Sequence, residues 1–294
     1  MLKTGIYIIL WSLLLTVTLV SCQDSVEDTI EFTEPVEEVN YKLPKIDLSN
    51  WKVTLPIGNP TEVLPPEILD YATNKTLRPF MYNDSIEGAI VFYTYPAAST
   101  ANSTYSRTEL RELMNPEDKG KTNWTFTDGA YMKGTLAMSD ISKDDEGDYH
   151  RAIIMQIHGR LTDEQRDLIG AKDNNAPPIL KIYWTNGAVR VKTKVLKDLD
   201  DSYEELLHTD AWGDDDGFTF SELVGFGKFT LEVKVSEGRM EVVLNGKESV
   251  VYDDIHIQKW GVFDNYFKAG NYLISHDQDA FSKVNYYELE VEHE

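Results

Sequence analysis

Apolar and polar residues alternate with a period of two along most of the chain. Residues 228–235 place Phe, Leu and Val on one face and Lys, Thr and Glu on the other, and residues 188–195 place Val and Thr opposite Arg and Lys. Successive side chains of a β-strand point to opposite faces, so this period predicts half-buried strands. A further strand is predicted near the C-terminus, where Tyr287, Leu289 and Val291 alternate with glutamates.

Turn residues separate these predicted strands. The Asn-Gly pairs at 186–187 and 245–246 predict two-residue hairpin turns. A helical pattern occurs at residues 66–71 and 162–169, each of which predicts one short helix. Many short strands bounded by turns predict an all-β sandwich or jelly roll.

Three long, polar and acidic segments interrupt the strand pattern, at residues 139–149, 160–178 and 197–217. Loops of this length in a compact domain are usually functional or mobile, so these segments are candidate walls of a binding cleft. The last one contains the run from Asp214 to Asp216, which lacks the ligand spacing of an EF-hand calcium loop. We interpret this run as solvated surface and not as a metal site.

Composition limits the domain count and the partners. The 294 residues are 41% hydrophobic, which is sufficient for a folded core, and their formal net charge is −22. This charge argues against nucleic acid and anionic membrane surfaces as partners. It also opposes an anionic substrate unless the basic residues are concentrated in one cleft. We find no internal repeat and no second boundary, and expect one domain over residues 43–294, acting as a monomer.

The N-terminus has the pattern of an export signal. The apolar run at residues 6–20 is shorter than the ~20 residues of a membrane-spanning helix. Residues 19–22, Leu-Val-Ser-Cys, resemble the lipobox of bacterial lipoproteins, and Cys22 is the only cysteine. We predict a signal peptide at 1–21, a lipidated Cys22, an acidic tether at 22–42, and a location in the bacterial cell envelope, at the outer membrane or cell surface. The alternative is an ordinary signal peptide.

Three short segments carry most of the side chains capable of chemistry. They read Ser-Arg-Thr-Glu-Leu-Arg-Glu at 106–112, Gln-Ile-His at 156–158 and Tyr-Phe-Lys-Ala-Gly-Asn-Tyr at 266–272. Alternation along each strand groups on one face Arg107, Glu109 and Arg111; Gln156 and His158; and Tyr266, Lys268 and Tyr272. If the three strands are neighbours, these side chains form one surface that can bind a carboxylate, accept a proton and return one.

Each segment alone also has a simpler explanation. Residues 107–111 could form an exposed ion-pair ladder, His158 could be a half-buried structural histidine, and residues 266–272 could be an edge strand with packed tyrosines. Only their combination favours a catalytic surface.

Alternation gives two local expectations. Ile153 is predicted to face the core, whereas Ala152 and Ile154 are predicted to share the outward face of His158. Gly270, on the polar face, is predicted to leave room for a close approach to the backbone.

In this order, the three segments resemble the signature motifs of alginate lyases of polysaccharide lyase family 7. The sequence Asp-Leu-Ser-Asn-Trp-Lys at 47–52 resembles the start of that family's domain, so the resemblance covers residue 43 to the C-terminus. Ile274 stands where the family often has Gln, a departure at a subsite and not in the chemistry. The resemblance implies a concanavalin-like β jelly roll with a concave substrate-binding sheet, an acidic polysaccharide as substrate, and no metal or organic cofactor.

The resemblance also implies roles in cleaving alginate, a polymer of mannuronate and guluronate, by β-elimination. Arg107 and Gln156 would neutralise the substrate carboxylate, and His158 would take the C5 proton. Tyr272 would protonate the C4 oxygen, and in mannuronate it could also take the proton. The substrate-binding positions would be Glu109, Arg111, Tyr266 and Lys268. Ile157, at the centre of the second motif, favours guluronate-containing substrate.

Three other functions fit parts of the sequence. A glycoside hydrolase needs a pair of catalytic carboxylates, and we find no such run. A non-catalytic, surface-anchored glycan-binding protein would use the basic face but would not require His158 and Tyr272 together. A lyase for another uronate polymer is a further alternative. The three acidic segments slightly favour exolytic over endolytic attack, since a blocked cleft admits only chain ends.

Overall fold

The computed structural model describes residues 42–99 and 103–293. The predicted signal peptide, the lipidated Cys22 and the tether up to residue 41 lie outside the described residues and stay predictions. Within the described ranges, no helix is long and apolar enough to cross a membrane.

The described residues form seventeen strands in two sheets, together with a few short helices. The strands are β1 (Lys45–Ile46), β2 (Trp51–Leu55), β3 (Thr61–Val63), β4 (Met81–Asp84), β5 (Ala89–Thr94), β6 (Arg107–Glu112), β7 (Ala130–Ile141), β8 (Arg151–Arg160), β9 (Asn175–Thr185), β10 (Ala188–Leu196), β11 (Trp212–Asp214), β12 (Phe218–Leu223), β13 (Phe229–Ser236), β14 (Arg239–Leu244), β15 (Glu248–Tyr252), β16 (Asp264–Ile274) and β17 (Ser282–His293). The predicted all-β sandwich is confirmed.

Strands distant in sequence are neighbours in both sheets. The eight-stranded sheet has the order β15-β14-β13-β7-β17-β5-β4, with β1 beside β17. The nine-stranded sheet has the order β11-β10-β9-β8-β16-β6-β2-β3, with β12 beside β10. The connections therefore cross between sheets, as in a jelly roll. One result is that β16 lies between β8 and β6, which brings the three motif segments together.

The hydrophobic core lies between the two sheets. In β13, Phe229, Leu231 and Val233 are buried on the inner face, as their alternation predicts. The large rings of Trp184 and Tyr286 are fully buried in the same core. Each fully buried apolar side chain contributes about 1.5–3 kcal/mol, so this layer holds the two sheets together.

Both predicted hairpins are present. Two residues separate the paired Thr185 and Ala188 of β9 and β10, whereas three separate the paired Leu244 and Glu248 of β14 and β15. Asn186 and Gly187 have φ angles of 48° and 83°, and Asn245 and Gly246 have 52° and 63°. Positive φ at both central positions is the requirement of a type I′ turn, which Asn-Gly meets with little strain.

The short helices begin at side chains that cap them. The predicted helix at 162–169 is α1 (Asp163–Leu168), and its Thr162 and Gln165 form a capping box. A second capping box starts α2 (Tyr203–Leu206), α3 is Ile255–Trp260, and the predicted helix at 66–71 is a single 3₁₀ turn. Two of the acidic segments therefore contain helices, and neither is an unstructured loop throughout.

The facing predicted for Ala152 and Ile154 was wrong. Both side chains belong to the core, whereas Ile153 pairs with Tyr272 on the opposite face of the sheet. The reason is a β-bulge: β9 and β16 both change register against β8 at this point. An extra residue in a strand inverts the alternation beyond it, so His158 points outward although Ala152 and Ile154 point inward.

The predicted C-terminal strand is present as β17, but its alternation is interrupted at Tyr287. Tyr286 is buried, whereas the ring of Tyr287 lies outside the core with the Lys228 ammonium 3.8 Å from its centroid. The register of β17 against β7 shifts between Tyr286 and Glu288, which again inverts the alternation.

The Tyr286 hydroxyl bonds backbone groups of both strands at the bulge, one of them the N–H of Gly270. The Tyr286 hydroxyl donates to the carbonyl of Ile154 at 2.5 Å and accepts from the Gly270 N–H at 3.3 Å. These two backbone groups lie where the β8–β16 ladder is interrupted. Gly270 has φ 139°, and a Cβ there would lie 2.8 Å from the Thr108 oxygen and 2.9 Å from the Glu109 Cα. The close approach predicted at Gly270 is therefore that of the neighbouring strand β6.

We predict that Gly270→Ala lowers the free energy of unfolding by about 2–4 kcal/mol, since it adds backbone strain and a steric overlap with β6. Gly246→Ala is the matched control, because Gly246 has φ 63° but nothing within 4 Å of a Cβ. It should cost only about 1–2 kcal/mol. Urea denaturation measures both values, and equal losses would show that β6 and β16 can separate without cost.

Candidate active site

The three motif segments lie on adjacent strands in matching register. His158 pairs with Tyr266, and Gln156 pairs with Lys268, across β8 and β16. Across β16 and β6, Tyr272 pairs with Arg107. Cross-strand partners point to the same side of a sheet, so the predicted polar residues share one face, away from the core. We call this outer face of the nine-stranded sheet the cleft face.

Glu109 is the centre of the cleft face. Its side chain is 1% exposed, and its carboxylate accepts hydrogen bonds from Arg107 Nη1 at 3.3 Å and from Gln156 Nε2 at 2.5 Å. The Lys268 ammonium forms an ion pair with the same carboxylate. A buried carboxylate is tolerated only with such partners, and it in turn fixes the positions of the groups that donate to it. Glu109 is thus saturated by protein donors, which suits a positioning role better than contact with substrate.

The two arginines of β6 have different environments. The Arg107 guanidinium lies over the Tyr272 ring, 4.1 Å from its centroid, and its Nε is buried without a hydrogen-bond partner among the described residues. Arg111 instead donates to the carbonyls of Glu112 and Gly120 and to the side chain of Asn123. Arg111 was predicted to bind substrate, but these bonds show that its guanidinium also ties the segment after β6 to the sheet.

His158 is held in the tautomer that a general base requires. Its Nδ1 lies 2.9 Å from the Gly159 carbonyl, which can only accept, so Nδ1 carries the proton and Nε2 is left with a free lone pair. Its ring stacks on Tyr266 at 5.2 Å with an interplanar angle of 12°. Burial, together with the charges of Lys268 and Arg107, lowers the pKa of His158 to about 3, so the imidazole is neutral.

Burial also affects the other titratable groups of the cleft face. Desolvation and the nearby Arg107 lower the pKa of Lys268 to about 8, although Glu109 opposes this. Burial raises the pKa of Tyr266, so its phenol stays protonated. Tyr272 is half-buried, and its hydroxyl has no hydrogen-bond partner within the described ranges. A proton donor is thus left free beside the carboxylate-binding groups.

The cleft over this face has a volume of about 370 Å³ and includes residues that sequence analysis missed. Lys52, Arg160 and Asn174 line it beside the predicted Arg107, Arg111, His158, Tyr266 and Lys268. Lys52 could have been found, because it alternates with the buried Trp51 and Val53 in β2; the structure pairs it with Arg111. Asn174 follows no pattern that a sequence would show. A larger cavity of about 680 Å³, between β1, β2 and β17, contains none of the predicted site residues.

The three acidic segments differ in their relation to the cleft. Residues Asp173 to Asn175, from the segment 160–178, line one side of it. The segments 139–149 and 197–217 contribute none of its lining residues. In the aspartate run, Asp214 is exposed, as the interpretation as solvated surface expects, and its carboxylate also forms ion pairs with Lys181 and Lys194. In residues 42–99 and 103–293, no group of three or more His, Cys, Asp or Glu side chains could hold a metal ion.

Comparison with known proteins agrees with this geometry. A sequence profile described as alginate lyase matches residues 46–293. The crystal structure of alginate lyase A1-II′, a member of polysaccharide lyase family 7, is 27% identical with a TM-score of 0.66, over 84% of this chain and 96% of that chain. An alginate lyase from Pseudomonas aeruginosa has the same fold, with 23% identity and a TM-score of 0.63 over 85% of this chain and 100% of its own. A search of curated proteins gave no match.

One similar structure contains a substrate. It is a variant of A1-II′ with a His-to-Asn and a Tyr-to-Phe substitution, in complex with the substrate GGMG. It is 26% identical, with a TM-score of 0.67 over 84% of this chain and 94% of that chain. From the profile match and these structures, the chain belongs to the alginate lyases of polysaccharide lyase family 7, and it is a polysaccharide lyase.

We predict that kcat/KM falls as pH rises through about 8, because Lys268 then loses the charge that attracts a substrate carboxylate. Below that pH the ammonium is protonated and the attraction is complete. Lys268→Arg keeps its charge at high pH, so the decrease of kcat/KM (the alkaline limb of the pH profile) should move to higher pH. Lys52→Arg, the same substitution at the edge of the cleft, is the control. If kcat/KM of Lys268→Arg falls at the same pH as that of the wild type, the fall is caused by the titration of another group.

Proposed function

We propose that this alginate lyase cleaves its substrate on the cleft face, with His158 and Tyr272 transferring protons and Arg107 and Gln156 binding the uronate carboxylate. The observation that carries the proposal is the neutral, correctly oriented imidazole of His158, which lies on the same face of the sheet as the Tyr272 hydroxyl and a group of carboxylate-binding donors. A base, an acid and an anion site on one surface are the requirements of an elimination from a uronate.

The carboxylate site makes the first step possible. The C5 proton of a uronate is a weak acid while the adjacent carboxylate carries its full charge. Arg107 has donors beyond the one bound to Glu109, and the Gln156 amide nitrogen has a second N–H. Hydrogen bonds from both to the carboxylate would stabilise the enolate-like charge that develops when the C5–H bond breaks.

Proton transfer completes the elimination. The C5 proton passes to Nε2 of His158, the C5 electron pair forms the C4–C5 double bond, and the C4–O bond breaks with its electrons going to oxygen. Tyr272 donates its proton to that oxygen. The products are an unsaturated uronate and a new reducing end, and neither a redox step nor a further reactant is needed.

The two epimers place different demands on these groups. In guluronate the C5 proton lies opposite the leaving group, so His158 and Tyr272 act from the two sides of the sugar. In mannuronate the proton lies on the same side, and Tyr272 can both remove it and protonate the oxygen. The substituted A1-II′ that holds GGMG lacks one His and one Tyr, the two residue types assigned here to proton transfer.

We further propose a preference for guluronate-containing substrate and release of small products from chain ends. Ile157 lies in the core behind the cleft face, where it sets the packing of β8 without touching substrate. Residues 173–175 line one side of the cleft, and a cleft that is narrowed there would favour binding of chain ends. A rapid loss of viscosity at low bond cleavage would instead show internal cutting.

A lipid anchor on Cys22 would hold the enzyme, as a monomer, at the bacterial outer membrane or cell surface. The lipobox-like Leu-Val-Ser-Cys and the acidic tether support this location. Recovery of Cys22→Ser in the soluble fraction, with the wild type in the membrane fraction, tests the anchor.

We predict different block dependence for the two proton-transfer residues. His158→Asn should lower turnover on guluronate blocks by about 10²–10⁴-fold and on mannuronate blocks by much less. Tyr272→Phe should lower turnover on both by a similar factor. The ultraviolet absorbance of the new double bond measures each rate, and His208→Asn, on an exposed histidine, is the control. Near-native turnover of either variant on guluronate blocks would reject the assignment.

A further inference from the structure

Basic side chains continue across the cleft face beyond the catalytic residues. Gln156 of β8 pairs with Lys181 of β9, and Lys181 pairs with Lys192 of β10. Two residues further along β10, Lys194 points to the same face. The register therefore extends the row that begins with Lys52, Arg111 and Lys268 to the far edge of the sheet.

The far end of this row is covered by a carboxylate of the protein itself. Asp214, on the edge strand β11, pairs with Lys194 and lies on the same face. Its carboxylate is 2.7 Å from the Lys194 ammonium and 2.9 Å from that of Lys181. The two lysine side chains are each 14% exposed, whereas that of Asp214 is 35% exposed. The lysines are thus held in place while the aspartate remains open to solvent.

The spacing of the row suits an extended polyuronate. Neighbouring strands are about 5 Å apart, so Lys192 on β10, which is in register with Gln156 on β8, lies roughly 10 Å from it across the sheet. Lys194 lies two residues further along β10. A 1,4-linked uronate chain that crosses the strands advances by about one strand spacing for each sugar and carries one carboxylate per sugar, so β10 is reached two sugars beyond β8. A chain with one carboxylate at Gln156 would bring another to the two lysines, where Asp214 now lies.

The exchange of one carboxylate for another is energetically feasible. Burial alone would raise the pKa of Asp214, but the hydrogen bonds from Lys194 and Lys181 outweigh it and lower the pKa, so Asp214 is ionised. Ion pairs with an exposed partner contribute little to stability because water competes for them. A substrate carboxylate would replace that of Asp214 with equivalent hydrogen bonds, and Asp214 would move into solvent.

We propose that Lys181 and Lys194 form a distal subsite for a uronate carboxylate, and that Asp214 occupies this subsite in the free enzyme. The inference rests on the proposed function, because it places the scissile sugar at Gln156. Asp214 thereby acts as a specificity determinant: it weakens the binding of chains long enough to reach β10 and has no contact with shorter ones. The acidic segment 197–217 would therefore favour short substrates, through the carboxylate of Asp214.

The test compares Asp214→Asn with the wild type on a trisaccharide and a hexasaccharide of uronates. The variant should lower KM for the hexasaccharide about fivefold relative to that for the trisaccharide, the effect of one exposed ion pair. Asp216→Asn is the matched control: it removes the same charge two residues away, and Asp216 binds Arg190 through its main-chain carbonyl. Adding Lys181→Gln to Asp214→Asn should abolish the gain.

An unchanged or increased hexasaccharide-to-trisaccharide KM ratio in Asp214→Asn would overturn the proposal and leave Asp214 as a structural tie, and so would the same gain in Asp216→Asn. If Asp214→Asn unfolds, Asp214→Ser takes its place with the same expected ratio. Wild-type enzyme that makes no unsaturated product from either oligosaccharide would reject the proposed function instead. The two failures are therefore distinguishable.

Discussion

The buried carboxylate of Glu109 is the interaction on which the site depends. Arg107, Gln156 and Lys268 come from three strands, and each donates to this one group. Without it, two buried cations would face each other with no counter-charge, and neither would have a defined position. With it, the cleft face presents fixed donors to a substrate carboxylate. Burial, reinforced by the charges of Lys268 and Arg107, keeps His158 neutral. The anionic substrate therefore meets a local cationic surface on a protein whose formal net charge is −22.

The backbone irregularities of the sheet place these side chains. The bulge beside Gly270 lets β6 approach β16 closely, and the Tyr286 hydroxyl bonds the two backbone groups that the interrupted ladder leaves unpaired. Tyr286 belongs to the opposite sheet, so the core and the cleft face are coupled through one side chain. The bulge also brings Ile153 beside Tyr272. A regular sheet would place a different residue there.

Sequence alone could predict the fold class, the hairpins and the shared face of the motif residues, because alternation and turn chemistry act locally. It could not predict where alternation fails: Ala152, Ile153 and Ile154 were assigned to the wrong faces, since a bulge depends on pairing with a distant strand. It also could not predict that Arg111 binds the segment after β6, because its partners Gly120 and Asn123 follow no pattern in the sequence. The pairing of Asp214 with two lysines likewise depends on the edge position of β11.

The most direct test of this account is the turnover of Glu109→Gln, with Glu62→Gln as control because Glu62 carries the same charge at the edge of the same cleft. The amide removes the counter-charge with little change in shape. We expect kcat to fall about 10²-fold, the usual effect of misplaced catalytic groups, and the alkaline limb of kcat/KM to move to lower pH, because Glu109 raises the pKa of Lys268. Turnover close to that of the wild type with an unmoved limb would show that Arg107, Gln156 and Lys268 are positioned independently of Glu109.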